Sequence, residues 1–436
     1  MIVTLLIAAV AAAVTFVLSV VLRRVGVRYR LYPAAIRSRD VHTTPTPRLG
    51  GIAMFAGILA AIGVASLLPY FSRVFAANGG RQILAVLLAA LLIVVIGVLD
   101  DFFDLDWSTK LIGQVLAAGL LAWLGGLQIV SLPIGGGAGS TIAVGSTWTS
   151  LAITLIATVA VMNAMNFIDG LDGLVAGIAV IANGAFFLYS YLLIREVSPT
   201  NYFNLASLLS AIVFGACLGF LPLNWHPAKL FMGDAGALLV GLLMAVSAIS
   251  VTGQIDPAEF EHAHGQAQLA PAFLPILLPF AVFIVPMLDF SLAVIRRLAA
   301  GKSPFSADRK HLHHRLLDMG HTRFHAVLIF YAWSATISVG SLLFFVAKPY
   351  WWAWVFIGAG LIVCTIATLA PLSHRKRGEY HSQSRPVTNT TVEIAVLDPL
   401  DRAGRHAATG ETPTVPTMGE SSPAPAAFVP RRERTP

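Results

Sequence analysis

The sequence predicts an all-α protein that crosses a membrane about eleven times. Its mean hydropathy is +0.76, and 56% of its 436 residues are hydrophobic while only 12% are charged. This composition excludes an ordinary soluble globular protein. Apolar runs long enough to span a bilayer recur along the chain, since about 20 apolar residues are needed for one crossing. Asp289 is the only charged residue inside these runs.

The runs set the order of the predicted helices. Ala237–Thr252 is the shortest and could be tilted or buried in protein, whereas Ile2–Leu22 lacks a basic start and a cleavage site and is expected to be a retained first span. The eleven runs are Ile2–Leu22, Leu49–Tyr70, Gln82–Leu99, Leu111–Val130, Trp148–Met165, Leu174–Ile194, Phe203–Leu223, Ala237–Thr252, Phe273–Ile295, Ala326–Ala347 and Tyr350–Pro371.

The distribution of Lys and Arg predicts the orientation. The loops after odd-numbered runs and the C-terminal tail together hold 25 of these residues, and the opposite side holds 4. By the positive-inside rule the N-terminus is outside and the C-terminus cytoplasmic. The net charge of +7 then reflects topology and contact with anionic lipid, so no nucleic-acid partner is expected. Both cysteines, Cys217 and Cys364, lie inside runs, which argues against a disulfide or a thiolate metal site.

Two domains are expected. Residues 1–372 form the integral-membrane part, and residues 373–436 form a basic tail rich in Pro, Thr and Ser that is predicted to be disordered. The Gly-rich segment 131–149 could form a small external β-hairpin. The sequence leaves the oligomeric state open, a homodimer included.

Polar clusters interrupt the apolar pattern, and all of them fall on the predicted cytoplasmic side. Asp100 and Asp101 follow the third run, and two adjacent carboxylates need a cation or metal to stay ionised together. An ordinary polar helix end explains this pair equally well. Asp234, between Gly233 and Gly236, could bind a ligand or simply cap the helix that follows.

The segment NAMNFIDGLDG spaces four polar side chains three residues apart: Asn163, Asn166, Asp169 and Asp172. On one straight helix this spacing would rotate the four through about half a circle. Gly170 and Gly173 instead indicate a break in the backbone, after which the amide and carboxylate oxygens could converge on a hard cation or a polar ligand. A glycine-rich turn with no further role is the alternative.

The segment DRKHLHHR, residues 308–315, concentrates cations and histidines. Zinc is one candidate ligand, but no Cys or acidic fourth ligand is obvious nearby and the neighbouring cations oppose a metal. Donors at this density suit a phosphate or pyrophosphate better, and a generic basic loop is the third alternative. The Pro-rich loop ending at Arg48 could add anion contacts. Together the clusters favour metal-assisted phosphoryl chemistry between a soluble anionic donor and a lipid acceptor.

Two other classes of membrane protein fit the sequence less well than an enzyme does. A cation-coupled transporter should carry ionisable groups near the middle of its spans, whereas these lie at one rim. An inactive scaffold would leave the polar clusters without a purpose.

The motifs resemble the polyprenyl-phosphate N-acetylhexosamine-1-phosphate transferase family. The resemblance rests on PTPRLGG (45–51), GVLDD (97–101) with Lys110 and Gln114, NAMNFIDGLDG (163–173), PAKLFMGDAG (227–236) and SPFSADRKHLHHR (303–315), in family order. It covers most of the membrane part and not the tail. The last motif resembles the branch whose donor is UDP-N-acetylglucosamine (UDP-GlcNAc), and other UDP-N-acetylhexosamines or UDP-MurNAc-pentapeptide are the alternative donors.

The resemblance also implies partners and residue roles. GlcNAc-1-phosphate would pass from UDP-GlcNAc to a polyprenyl phosphate lipid with release of UMP, with Mg²⁺, or Mn²⁺ in its place, on the donor's pyrophosphate. Asp100 would orient the lipid phosphate or accept its proton, and Asp101 and Asp169 would assist. Asp234 and Asn166 would ligate the metal, and Asp172 would contact uridine. The side chains implied to hold phosphates and the sugar are Lys110, Arg309, His311, His313, His314 and Arg315.

Overall fold

The computed structural model describes most of the membrane part of the chain. The described residues are 1–32, 46–76, 80–132, 142–144, 146–197, 205–252, 316–347 and 349–369, together with 291, 292, 294, 295, 298, 299 and 301. The chain divides into two units, Met1–Tyr380 and His381–Pro436, and the second lies wholly outside the described residues. The predicted domain boundary near residue 373 therefore stays a prediction.

The described part contains ten helices of 17 or more residues, which match ten of the eleven predicted runs. The remaining run, Phe273–Ile295, lies almost entirely outside the described residues. The helices, with one short helix, are α1 Ile2–Arg28, α2 Gly50–Ser66, α3 Ser72–Ala76, α4 Arg81–Phe103, α5 Trp107–Trp123, α6 Thr147–Ile168, α7 Leu174–Val197, α8 Leu205–Asn224, α9 Gly233–Thr252, α10 Arg323–Val346 and α11 Trp351–Leu369.

Eight of these helices are long and apolar enough to cross a membrane. The number becomes nine if α2 and the segment Pro69–Ala76, which is bent from it by 95°, form one broken span. Helix α5 has only 17 residues. A hydrocarbon layer admits helices because their backbone hydrogen bonds are satisfied within the segment. The prediction of an all-α, multi-pass membrane protein is confirmed, whereas the total of eleven crossings and the orientation stay predictions.

A short antiparallel strand pair interrupts the helical pattern. Strand β1, Ser131–Leu132, pairs with β2, Ile142–Ala143, so that Ser131 lies opposite Ala143. The pair falls inside the Gly-rich segment where a hairpin was predicted. The connection between the two strands, residues 133–141, lies outside the described residues.

Helix α9 is the central helix of the described bundle, and most of it is buried in protein. It packs against α4, α6, α8 and α2. The approach to its neighbours is close because small residues line the contacts: a Cβ at Gly241 would lie 2.7 Å from the Cα of Met162 on α6. In contrast, α11 packs on α10 and leaves most of its apolar surface exposed.

The polar clusters lie where these helices begin and end. Asp100 and Asp101 occupy the last turn of α4, and Asp234 is in the first turn of α9. Helix α6 ends at Ile168 and α7 begins at Leu174, so the predicted break in the NAMNFIDGLDG segment is confirmed. Direct contact between α4 and α9 brings their two polar ends together.

Candidate active site

Lys110 joins the carboxylates of two distant chain segments. Its Nζ lies 2.6 Å from Oδ2 of Asp100 and 3.2 Å from Oδ2 of Asp234, which is 124 residues away along the chain. Asp100 is nearly buried, with 7% of its side chain exposed, whereas the side chains of Lys110 and Asp234 are 26% and 30% exposed. The ammonium group therefore lies between two carboxylate oxygens, a position that favours a cation.

The end of α4 fixes the direction of the Asp100 carboxylate. Asp104 closes the helix in the left-handed conformation, with φ 53°, and its N–H donates to the Asp100 carbonyl at 2.9 Å. The N–H of Leu105 then donates to Oδ1 of Asp100 at 2.8 Å. One carboxylate oxygen is thus held by the backbone, and the other accepts from Lys110.

Asp101 lies against the first turn of α9. Its Oδ1 accepts a hydrogen bond from the N–H of Asp234 at 3.3 Å, and its Oδ2 is buried without a hydrogen-bond partner. Gly233, with φ 69°, passes so close that a Cβ there would overlap the Asp101 carboxylate. The charge of Arg48, from the loop before α2, acts on Asp101. In this structure Arg48 thus acts on a carboxylate of the protein itself, and the predicted contact of its loop with a substrate anion stays a prediction.

The turn between α6 and α7 supplies the third part of the cluster. The side chain of Asn166 is hydrogen-bonded to Asp234. Burial raises the pKa of Asp169 from 3.8 to about 7, and the negative charges of Asp234 and Asp172 add to the rise while Arg48 opposes it. The charge of Asp234, which Lys110 and Asn166 contact, therefore also acts on Asp169.

Asn163 does not join this cluster. Its Nδ2 donates to Oε1 of Gln114 at 2.5 Å and to the carbonyl of Val159 at 2.8 Å, and its Oδ1 is 3.4 Å from Nε2 of Gln114. The amide pair links α5 to α6. The expectation that all four side chains of the ladder converge is therefore wrong for Asn163, because this residue lies nearly a turn before Asn166 on α6 and its amide is paired with Gln114 on α5.

Asp172 faces a second wall of the site, which is built by the segment after α8. Its Oδ2 accepts from Nδ1 of His226 at 2.8 Å and from the N–H of Ala228 at 3.1 Å. A small open cavity lies beside it, lined by Asp172, Trp225, His226, Arg323, Phe324 and Val327. The aromatic rings of Trp225 and Phe324 meet edge to face, with 6.0 Å between their centroids.

Sequence reasoning missed the other residues of this cavity. Trp225 and His226 precede a recognised motif, and Arg323 and Phe324 open α10, so no charge cluster or regular spacing marks them. The packing of both α8 and α10 against α7 brings these two segments to Asp172.

Five of the predicted substrate-binding residues lie outside the described residues, and their placement stays a prediction. They are Arg309, His311, His313, His314 and Arg315.

The donor set suits a hard divalent cation. Within the described ranges no three His, Cys, Asp or Glu side chains are grouped as a metal site. Mg²⁺ does not require such a group, because it usually keeps several waters and binds one or two carboxylates together with substrate phosphates. Asp234, Asn166 and the unpartnered Oδ2 of Asp101 supply oxygen atoms of that kind. These residues fit Mg²⁺.

Comparison with known proteins identifies the family of this chain. The family model described as glycosyl transferase family 4 matches residues 83–252. The chain is 40% identical over 341 residues to the decaprenyl-phosphate N-acetylglucosaminephosphotransferase of Mycobacterium leprae, covering 78% of this chain and 83% of the relative. It is 28% identical to a probable undecaprenyl-phosphate N-acetylglucosaminyl 1-phosphate transferase of Bacillus subtilis, covering 70% and 75%. A phospho-N-acetylmuramoyl-pentapeptide-transferase of Halalkalibacterium halodurans is 31% identical, covering 62% and 75%.

Fold and site together define a multi-pass membrane phosphotransferase whose carboxylates gather at the ends of its helices. The chain belongs to glycosyl transferase family 4, and the resemblance to polyprenyl-phosphate N-acetylhexosamine-1-phosphate transferases is confirmed. The alternatives of a transporter and of an inactive scaffold are set aside by this membership.

Proposed function

We propose that the protein transfers GlcNAc-1-phosphate from UDP-GlcNAc to a polyprenyl phosphate on the cytoplasmic face of the membrane, and that it releases UMP. The observation that carries the proposal is the convergence of Asp100, Lys110, Asn166 and Asp234 from four separate segments. The names of the mycobacterial and Bacillus relatives support GlcNAc as the sugar. The Lys and Arg distribution supports the cytoplasmic side.

In this reaction an oxygen of the lipid phosphate attacks the β-phosphorus of the donor. A new pyrophosphate bond forms, the bond between the two donor phosphates breaks, and its electrons leave with UMP. The lipid phosphate is already a nucleophile, so we propose direct attack with no covalent intermediate on the protein. Phosphoryl transfer then depends mainly on positioning and on stabilisation of charge.

Each residue of the described cluster is assigned a separate role in this reaction. Asp100, held by the Leu105 N–H, orients the lipid phosphate or accepts its proton. Asp101 supports it by holding the first turn of α9 through the N–H of Asp234. Lys110 lies where it can turn from the carboxylates to a phosphate oxygen. Asp169, with its raised pKa, is assigned a supporting catalytic role beside Asp234.

Asp234 and Asn166 would hold Mg²⁺, with Mn²⁺ as a substitute. The ion supplies charge neutralisation on the pyrophosphate and on the departing UMP. Lys110 occupies the space between Asp100 and Asp234 in this structure. We therefore expect its ammonium group to leave Asp234 when the donor and metal enter, and to contact a phosphate instead.

Asp172 would bind the uridine. The cavity beside it offers the Trp225 and Phe324 rings as apolar walls, with polar atoms from His226 and Arg323. A flat base with polar edges suits such a lining. Arg309, His311, His313, His314 and Arg315 are proposed, from the sequence alone, to hold the phosphates and the N-acetyl sugar.

The test is a transfer assay with purified protein, radiolabelled UDP-GlcNAc, decaprenyl or undecaprenyl phosphate, and Mg²⁺. Labelled lipid should appear in the organic extract, and UMP should be released in equal amount. Asp100→Asn should abolish transfer, while Asp104→Asn is the matched control, because Asp104 is an exposed carboxylate of the same helix end and Asn tolerates its left-handed backbone. No labelled lipid from well-folded wild-type protein would refute the proposal.

A second donor decides between branches of the family. The Halalkalibacterium relative is named for a muramoyl-pentapeptide donor, so UDP-MurNAc-pentapeptide is the competitor to test. We expect efficient transfer from UDP-GlcNAc and none from UDP-MurNAc-pentapeptide. Efficient use of the pentapeptide donor would contradict the assignment of the sugar and leave the phosphotransfer chemistry intact.

A further inference from the structure

Tyr331, in the third turn of α10, contacts the turn that carries Asp169 and Asp172. Its hydroxyl donates to the carbonyl oxygen of Gly173 at 2.5 Å. That carbonyl also accepts the first backbone hydrogen bond of α7, from the N–H of Gly177 at 2.9 Å. The Gly173 carbonyl would therefore be satisfied without the tyrosine, so the extra bond joins α10 to the turn.

Gly173 is a point where the backbone needs external support. It has φ +75°, and glycine populates many conformations at such positions, so its own sterics do not fix the direction of the chain after Asp172. Two side chains do so instead. The N–H of Gly173 donates to Oδ1 of Asn224 at 3.0 Å, and its carbonyl accepts from Tyr331.

The ring of Tyr331 fits a space that the neighbouring helix leaves open. A Cβ at Gly177 would overlap the phenol ring, so only glycine at this position lets the ring lie on the first turn of α7. The ring also lies 6.4 Å, centroid to centroid, from that of Trp225. Trp225 lines the cavity beside Asp172, and its neighbour His226 is hydrogen-bonded to Asp172. Tyr331 thus contacts both the turn that carries Asp172 and the segment after α8 that is hydrogen-bonded to Asp172.

We propose that Tyr331 is a positioning residue, which holds the turn between α6 and α7 so that Asp172 is presented to the nucleotide. The inference rests on the proposed function, because it assigns the cavity beside Asp172 to uridine. Tyr331 acts through Gly173 and Trp225 and does not touch the reacting phosphates. Its removal should therefore weaken nucleotide binding more than it slows the chemical step.

The experiment compares Tyr331→Phe with wild type in the purified full-length protein. UMP affinity, the KM for UDP-GlcNAc, kcat and the melting temperature are measured side by side. Loss of one hydrogen bond that orders a binding group should weaken UMP binding and raise the KM about five-fold. We expect kcat within about two-fold of wild type, because positioning of Asp172 is not needed at the reacting phosphorus.

Tyr189→Phe is the matched control. Tyr189 is a fully buried tyrosine farther along α7, packed edge to face on Phe345 at 5.3 Å. Tyr189 lies 16 residues after Gly173 along α7, which is about 24 Å at the rise of a helix, so UMP affinity should stay at the wild-type value. Equal losses of UMP affinity in both variants would show a general packing effect and overturn the proposal.

Gly177→Ala gives an independent perturbation of the same ring. The added Cβ should displace the phenol and weaken UMP binding as Tyr331→Phe does. In a Tyr331→Ala background the ring is gone, so adding Gly177→Ala should have little further effect on UMP affinity. Unchanged UMP binding in folded Tyr331→Phe and in Gly177→Ala, with an active wild type, would refute the role of Tyr331 alone. A wild type that binds no UMP would refute the proposed function as well.

Discussion

Lys110 shows how a single residue sets the charge balance of this site. Asp100 and Asp234 lie at the ends of different helices, and both accept from the same ammonium group. Removing one member of a partly buried charge pair usually leaves the other charge uncompensated, which costs more than the pair itself contributes. The cluster is therefore sensitive to any change of charge, and substitutions that preserve shape are the informative ones.

Asp234→Asn should raise the Mg²⁺ requirement of the enzyme at least about ten-fold, since a formal charge is removed from a proposed ligand of a hard cation. Asn has nearly the same volume, so the start of α9 should keep its fold. Activity and the Mg²⁺-dependent rise in melting temperature are both titrated with Mg²⁺, with Asp104→Asn as the control. Wild-type rates at low Mg²⁺ would exclude Asp234 as a ligand.

Asp169 should make the metal-free protein less stable as the pH rises. Its pKa is about 7 in the folded state and 3.8 in the ordinary state, so the folded state disfavours the carboxylate. Stability is then greatest below the lower value and declines between about pH 4 and pH 7. Asp169→Asn removes this loss, and its melting temperature should exceed that of wild type by roughly 2–4 °C at pH 8 but not at about pH 3.5, below the ordinary pKa. An equal difference at both pH values would contradict the raised pKa.

At the scale of helices, close packing brings the ends of α4 and α9 together. Gly97 lies one turn before Asp100, and its Cα faces the backbone of Ala235 directly. Small residues permit this approach within a membrane, where helices associate through packing rather than through exclusion of water. The sequence shows that Gly97 and Ala235 are small but not that they face each other.

Gly97→Ala should therefore separate the two polar ends. A Cβ would overlap the Ala235 backbone, so α9 must shift, and a misplacement of about 1 Å in a catalytic group can cost roughly 100-fold in rate. Gly119→Ala in α5 is the matched control, because a Cβ there meets nothing within 4 Å. The two kcat values are compared in proteins with similar yields and melting temperatures. Equal activity would show that the α4–α9 contact does not set the geometry of the site.

For the molecule as a whole, the predicted orientation can be tested with two introduced cysteines. Thr109 and Ser146 are both exposed. Thr109 lies in the first turn of α5 and Ser146 directly before α6, and the predicted topology puts these two positions on opposite sides of the membrane. The native Cys217 and Cys364 are buried and should give little background. With a cytoplasmic site, an impermeant thiol reagent should label Ser146→Cys in intact cells but Thr109→Cys only after lysis. The reverse pattern would invert the topology.

The tail should be dispensable for the reaction. It carries none of the clusters, and its composition is typical of segments that cannot bury enough apolar surface to fold. Truncation after Arg377 keeps the basic residues next to the last helix and should leave kcat within about two-fold of wild type in detergent. A large fall in kcat in well-folded truncated protein would show that the tail reaches the site.

Local sequence was enough to predict ten of the helical segments that the structure describes, the places where polar clusters interrupt them, and a backbone break at Gly170 and Gly173. These properties follow from local hydropathy and from glycine, which act over a few residues. The side-chain pairs, in contrast, depend on how the helices pack: Lys110 bridges Asp100 and Asp234, Asn163 pairs with Gln114, and Asp172 faces His226. The reason is physical: membrane helices are apolar on every face, so their pattern does not encode rotation, and side chains meet only after packing has fixed it.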